Sequence, residues 1–206
     1  MVRIVSIDVG TSSMKSVLYD MEGNLIQLFA YEYYSEYPRQ NYVEQDPETW
    51  KDALKDVLYK MGQYCLKENI KIDALAVTSQ RSSMISMDKD GIPLHNAIMW
   101  QDKRTTQICD KLINKYGLNY FYKKTGLRVN PYFVLPKIIW LRENMPDIYN
   151  KTDKFIGVMD YVIYQLTGEY ITDYSQGCRT LMMDIKKFCW DVELMELAGI
   201  DERKLP

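Results

Sequence analysis

The chain opens with two short apolar runs, Val2-Arg3-Ile4-Val5-Ser6-Ile7 and Met14 to Tyr19, separated by the polar segment Asp8-Val9-Gly10-Thr11-Ser12-Ser13. Runs this short and this rich in Val and Ile fit strands, and glycine accepts the φ angles of a tight turn. The spacing therefore predicts a β-hairpin with an acid, a glycine and hydroxyls at its tip. Thr11, Ser12, Ser13 and nearby backbone N–H groups can donate to phosphate oxygens there. Gly10 permits close approach, Lys15 adds a positive charge, and Asp8 can hold Mg2+ directly or through water. The same residue types are ordinary turn formers, so the segment alone fits a plain turn equally well.

Downstream, Glu22-Gly23-Asn24 reads as a second turn and Leu25 to Tyr34 as a third strand, completing an antiparallel meander. Asp46 as N-cap, Pro47 at the first helical position and Glu48 in the first turn mark a helix start. Trp50, Leu54, Val57, Leu58, Met61 and Tyr64 follow at helical spacing. Extended segments are expected at Ile72 to Thr78, Met84 to Met87 and Leu94 to Trp100, with a turn at Asp88 to Gly91. From Thr105 the pattern turns helical through Ile108, Leu112, Ile113 and Tyr116, stopping at Gly117. Further helices are expected over Leu135 to Asn144, beginning near Pro136, and over Met159 to Thr167, ending at Gly168. The whole reads as an α/β chain with a mixed sheet and no clear internal boundary, with Gly117 to Asn150 as a segment packed on the sheet.

Composition limits the function classes. The 206 residues are 47% hydrophobic and 26% charged, an ordinary globular balance. A formal net charge of −2 leaves no electrostatic footprint for nucleic acid or an anionic membrane surface. Cys65, Cys109, Cys178 and Cys189 are irregularly spaced, and His95 is the one imidazole, so a zinc site is not expected. No apolar run approaches membrane-helix length, which points to the cytoplasm.

The order of the motifs carries more than any one of them. Asp8 to Lys15, Tyr42-Val43-Glu44-Gln45-Asp46-Pro47, Thr78-Ser79-Gln80-Arg81, Ala97 to Thr105 (AIMWQDKRT), Thr125-Gly126-Leu127, Asn130-Pro131-Tyr132-Phe133 and Thr172-Asp173-Tyr174 follow one another along the chain. In sequence and spacing this series resembles the first domain of the FGGY carbohydrate kinases, with the glycerol kinase branch closest in wording. The resemblance covers nearly the whole chain. It implies an actin-like, ribonuclease H-like fold with helices on both faces of the sheet. It also implies transfer of the γ-phosphoryl group of ATP to a hydroxyl of a polyol or ketose, with ATP and Mg2+ as cofactors. Asp8 then corresponds to the metal-coordinating acid, and Gly10, Thr11, Ser12 and Lys15 to phosphate contacts. Arg81, Ser82, Trp100 and Tyr132 fall at the sugar site. A guanidinium fork and a flat indole wall suit a ligand with several hydroxyls and small apolar C–H patches.

The sequence departs from the pattern at two places. Glycerol kinases follow the Gln-Arg pair with glutamate, whereas Ser82 stands here; a serine cannot match the hydroxyl-accepting capacity of a carboxylate. Pentulose kinases carry a histidine-containing string at this point, so the acceptor stays open between polyol and ketose. The family's general base and adenine pocket also fall further along than Pro206. Residues 1–206 thus correspond to the N-terminal, sugar-binding domain, with the C-terminal nucleotide domain as a missing partner and little or no activity expected from the chain alone. A non-catalytic sugar-binding or regulatory module on the same fold is the alternative. The resemblance leaves open a homo-oligomer and the role of Asp102, and it gives His95 no function.

Overall fold

The structure is a computed structural model, described over residues 2–206. β1 (Ile4–Val9) and β2 (Ser13–Tyr19) form the expected hairpin, with Val9 opposite Met14 and Asp8 opposite Lys15. β3 (Leu25–Glu32) completes the meander. Its turn is held by the Asp20 carboxylate, which accepts from the amides of Glu22 and Asn24 at 3.0 and 2.8 Å. β4 (Glu44–Gln45) leads into α1 (Pro47–Lys67), where Asp46 accepts from the Glu48 amide at 2.9 Å as N-cap. The chain then returns as β5 (Ala74–Ser79), parallel to β1, and the sheet order is β3-β2-β1-β5.

The second half is mainly helical. β6 (Ile85–Met87) and β7 (Ala97–Ile98) precede α2 (Thr106–Tyr116), α3 (Leu118–Thr125), α4 (Val134–Asn144) and α5 (Pro146–Lys151). β8 (Lys154–Ile156), α6 (Val158–Thr167), α7 (Tyr174–Gly177), β9 (Met183–Asp184), β10 (Cys189–Trp190) and α8 (Val192–Ala198) complete the elements. The extended segment expected over Leu94 to Trp100 narrows to Ala97–Ile98. Only these two residues find a ladder partner, at Glu44 and Gln45.

Two apolar clusters hold the molecule together. In the first, Val5, Ile7 and Val9 of β1 and Met14 and Leu18 of β2 pack against Trp50, Leu54, Val57 and Met61 of α1 and against Val158, Tyr161 and Val162 of α6. These helices lie on one face of the sheet. On the other, Ile4 and Leu28 are exposed at 38% and 41%. α1 and α6 thus share one face of this sheet. Among the described residues β5 is an edge strand of the sheet. Leu75 sits in register with fully buried Val5 yet is 41% exposed.

The second cluster gathers α2, α3, α4 and α8 around Phe121, Leu135, Ile138, Leu141 and Leu194. The segment expected to pack as an insertion on the sheet instead builds much of this core. A buried ion network supports it from the side of the first cluster. Asp102 binds the Arg104 guanidinium with Nε at 2.9 Å and Nη2 at 2.8 Å, and Nη2 also donates to Glu44 at 2.7 Å. Asp102 accepts from the Val43 amide at 2.7 Å, and the guanidinium stacks 3.9 Å from the Tyr42 ring centroid. Asp102 is thus a structural anchor beneath the Trp100 segment.

Candidate functional site

The hairpin tip lies where β1 and β5 end side by side, because the parallel register sets Asp8 beside Thr78 and Val9 beside Ser79. Consecutive strand residues face opposite ways, so Val9 enters the core while Asp8 stands on the face away from α1 and α6, half-buried. Lys15, its cross-strand neighbour, is exposed. At the tip itself, Gly10 donates its amide to the Ser13 carbonyl at 2.9 Å, closing the turn. The positive φ that glycine would permit is not used here, but a Cβ on Gly10 would lie 3.0 Å from the Ser13 carbonyl oxygen. Close backbone packing is what requires glycine.

Gln80 follows β5 directly and crosses to the tip. Its amide donates to the Val9 carbonyl at 2.8 Å, and Nε2 donates to the Gly10 carbonyl at 3.3 Å. Its Oε1 accepts from two hydroxyls, Thr11 at 3.5 Å and Ser83 at 3.3 Å. Trp100 completes the loop by donating its indole Nε1 to Thr11 Oγ1 at 3.1 Å and its backbone amide to Ser83 Oγ at 3.1 Å. The bonds form a closed ring that starts and ends on Trp100. Each hydroxyl in it both donates and accepts, an arrangement that fixes rotors which would otherwise turn freely. Gln80 stands in the Thr78-Ser79-Gln80-Arg81 string with no expected role; its meaning appears only once the strands bring three segments together.

The Trp100 ring meets Tyr132 at a centroid distance of 5.5 Å, so the two aromatic candidates form one wall. Arg179 lies over Tyr132 and Phe133 at 5.2 and 5.0 Å from their ring centroids. Arg81 is exposed and reaches no carboxylate among the described residues. Ser82 is placed differently from its neighbour. It is only 6% exposed, adopts a left-handed φ of 71°, and donates its hydroxyl to the Arg179 carbonyl at 3.3 Å. Ser12 is exposed at the tip, its carbonyl accepting from the Tyr33 amide at 3.0 Å. His95 sets Nδ1 against the Asn96 carbonyl at 2.5 Å and takes no part in the ring.

The fold therefore brings Thr11, Trp100 and Tyr132 into one connected unit and places Asp8, Gly10, Ser12 and Lys15 along the same hairpin. No group of three or more His, Cys, Asp or Glu side chains forms a metal cage among the described residues. A single carboxylate beside a hydroxyl-rich turn is the donor set that suits Mg2+ carried on phosphate, since that ion keeps water and phosphate oxygens as most of its ligands. No described helix is long and apolar enough to cross a membrane.

Comparison with known proteins agrees with this geometry. The model of the FGGY family of carbohydrate kinases, N-terminal domain, matches residues 3–206. A glycerol kinase of Thermococcus gammatolerans is 39% identical over 98% of this chain and 42% of its own length. A xylulose kinase of Lactococcus lactis is 34% identical over the whole chain and 41% of its own length. Among solved structures, the ligand-bound xylulose kinase of Lactobacillus acidophilus superposes with a TM-score of 0.94 at 30% identity, covering 100% of this chain and 41% of that one. The Plasmodium falciparum glycerol kinase with ADP gives 0.94 at 32% identity, covering 100% and 42%. The chain thus spans about two fifths of the length of the relatives it matches, 41% to 42%. With a mixed sheet opened by an antiparallel meander and a matched model from residue 3 to residue 206, the chain belongs to the FGGY family of carbohydrate kinases, as their N-terminal domain.

Proposed function

We propose that this domain supplies the acceptor-binding and phosphate-binding half of an ATP-dependent kinase that phosphorylates a hydroxyl of a polyol or ketose. The observation that carries the reading is the hydrogen bond from Trp100 to Thr11, which joins the aromatic wall to the tip of the phosphate loop. A kinase must hold its acceptor hydroxyl and the transferred phosphoryl group in one fixed geometry, and the chemistry is mostly positioning and charge neutralisation.

In this reading Trp100 and Tyr132 stack against the C–H faces of the acceptor, and Arg81 donates to its hydroxyls. The Thr11 backbone N–H and the Ser12 hydroxyl donate to phosphate oxygens, the Thr11 hydroxyl staying in the ring with Gln80, and Lys15 contributes positive charge. Asp8 would hold Mg2+, which when bound neutralises charge on the phosphates. The acceptor oxygen forms a bond to the γ-phosphorus of ATP as the bond from that phosphorus to the bridging oxygen breaks, giving ADP and a phosphate ester. The hydroxyl proton passes to a base that we assign to a part of the kinase outside these 206 residues. Ser82, with its hydroxyl turned to Arg179, shapes the pocket floor beside Arg81.

An ADP-release assay tests the reading with a panel that includes glycerol and xylulose. The 206-residue chain alone is expected to show negligible turnover, and the kinase containing it acceptor-dependent turnover. Turnover by the chain alone at an ordinary kinase rate would overturn the division of labour. Acceptor binding without any turnover in the longer protein would favour a non-catalytic binding module.

A further inference from the structure

Lys137 has no place in the mechanism above, and its environment is unusual for a lysine. It is 0% exposed, one turn into α4. A helical side chain leans toward the N-terminus of its helix, here toward the loop that carries Tyr132. Nζ donates to the Ser82 carbonyl at 2.5 Å and to the Tyr132 carbonyl at 3.1 Å. No carboxylate lies within ion-pair distance of it among the described residues. Burial drives its pKa down to about 7, with Asp102 favouring and Arg104 opposing the charged form.

A buried cation without a direct counter-ion is a poor device for stability, because desolvation costs more than neutral hydrogen bonds return. An apolar side chain of the same length would fill the space at lower cost. What Nζ does, and no apolar side chain could do, is donate to two carbonyls on separate segments. Those segments carry Ser82, with Arg81 beside it, and Tyr132. Ser82 is held in a left-handed backbone conformation that a non-glycine residue leaves unless something pins it.

Resting on the proposed kinase reading, we propose that Lys137 is a positioning residue: its ammonium group clamps the Ser82 and Tyr132 carbonyls and thereby fixes the Arg81 arm and the Tyr132 ring as two sides of one acceptor pocket. It does not touch the acceptor. The clamp sets the separation of groups that do.

Two measurements on Lys137→Met test this. In the 206-residue chain, amide hydrogen exchange in segments 80–84 and 130–134 should accelerate about tenfold or more, while β1, β2 and α1 keep wild-type protection. Loss of hydrogen bonds to a charged donor corresponds to a change of about that size. In the kinase containing the domain, KM for glycerol or xylulose should rise about tenfold with KM for ATP changed less than about twofold. Lys137→Arg, which keeps the charge and the donors, should recover part of both effects. Uniformly faster exchange, or equal losses for acceptor and ATP, would show a structural role only. If Lys137→Met does not fold, Lys137→Leu, which also has no donor, replaces it, and failure of both to fold also overturns the proposal. The two readings separate cleanly: a wild-type kinase that phosphorylates no polyol or ketose refutes the functional reading, while the exchange pattern still decides the clamp.

Discussion

Trp100 and Thr11, 89 residues apart in the chain, are joined by an indole N–H to hydroxyl bond of 3.1 Å. Thr11 in turn donates its hydroxyl to Gln80 Oε1, so the tip of the hairpin and the aromatic wall cannot move independently without breaking the ring. A double-mutant cycle with Thr11→Val and Trp100→Phe should therefore give a coupling energy of about 0.5–1.5 kcal/mol in urea unfolding. Additive losses would mean that the two side chains are neighbours only.

Arg81 and Asp8 serve different ligands in the proposed reading, and neither supports the core. Arg81→Ala should leave stability within about 0.5 kcal/mol, as for exposed sites without partners, while acceptor affinity falls. Asp8→Ala should remove turnover in the longer kinase and leave acceptor affinity largely intact. Calorimetric titration of each variant with glycerol or xylulose checks the split, and the reverse pattern would exchange the two roles.

The Arg104 network makes a contrasting case. Removing the guanidinium leaves Asp102 and Glu44 buried without their cation. Arg104→Met should cost about 3–5 kcal/mol, the range seen when one partner of a buried pair is deleted. A cost below about 1 kcal/mol, read from the urea midpoint at unchanged slope, would show that water reaches the carboxylates.

Asp160, at the start of α6, accepts from the Gly157 amide at 2.7 Å and is 3% exposed. Burial raises its pKa from 3.8 to about 6. Between those values the unfolded chain has released the proton and the folded chain retains it. The contribution of Asp160 to stability therefore falls as pH rises through that window. Asp160→Asn lacks this titration. Its stability relative to wild type should improve from pH 4 to pH 7 by on the order of 2 kcal/mol. A pH-independent difference would place the titration elsewhere.

Much of this molecule is legible before folding wherever the signal is local. The hairpin follows from two Val- and Ile-rich runs around a polar turn, and α1 follows from Asp46, Pro47 and the spacing of Trp50, Leu54, Val57 and Met61. β6 and β7 fall inside expected extended segments, but their pairing with β8 and β4 is not legible, because those two- and three-residue partners become strand only when a distant segment arrives beside them. The site divides in the same way. Asp8, Trp100 and Tyr132 stand in recognisable strings, whereas the work of Gln80 depends on three segments meeting. Lys137 lies hidden in a helix whose apolar neighbours predict a core position. The left-handed Ser82 has no glycine to announce it.

The outer edge of β5, unpaired among the described residues, bears on how this polypeptide behaves in a test tube. Its free N–H and C=O groups, next to a part-exposed Leu75, form a template for any other extended chain, including another molecule of the same kind. Preparations of the 206-residue chain should therefore be sensitive to concentration, and their losses to precipitation should be governed by sheet extension at this border rather than by unfolding of the helical half.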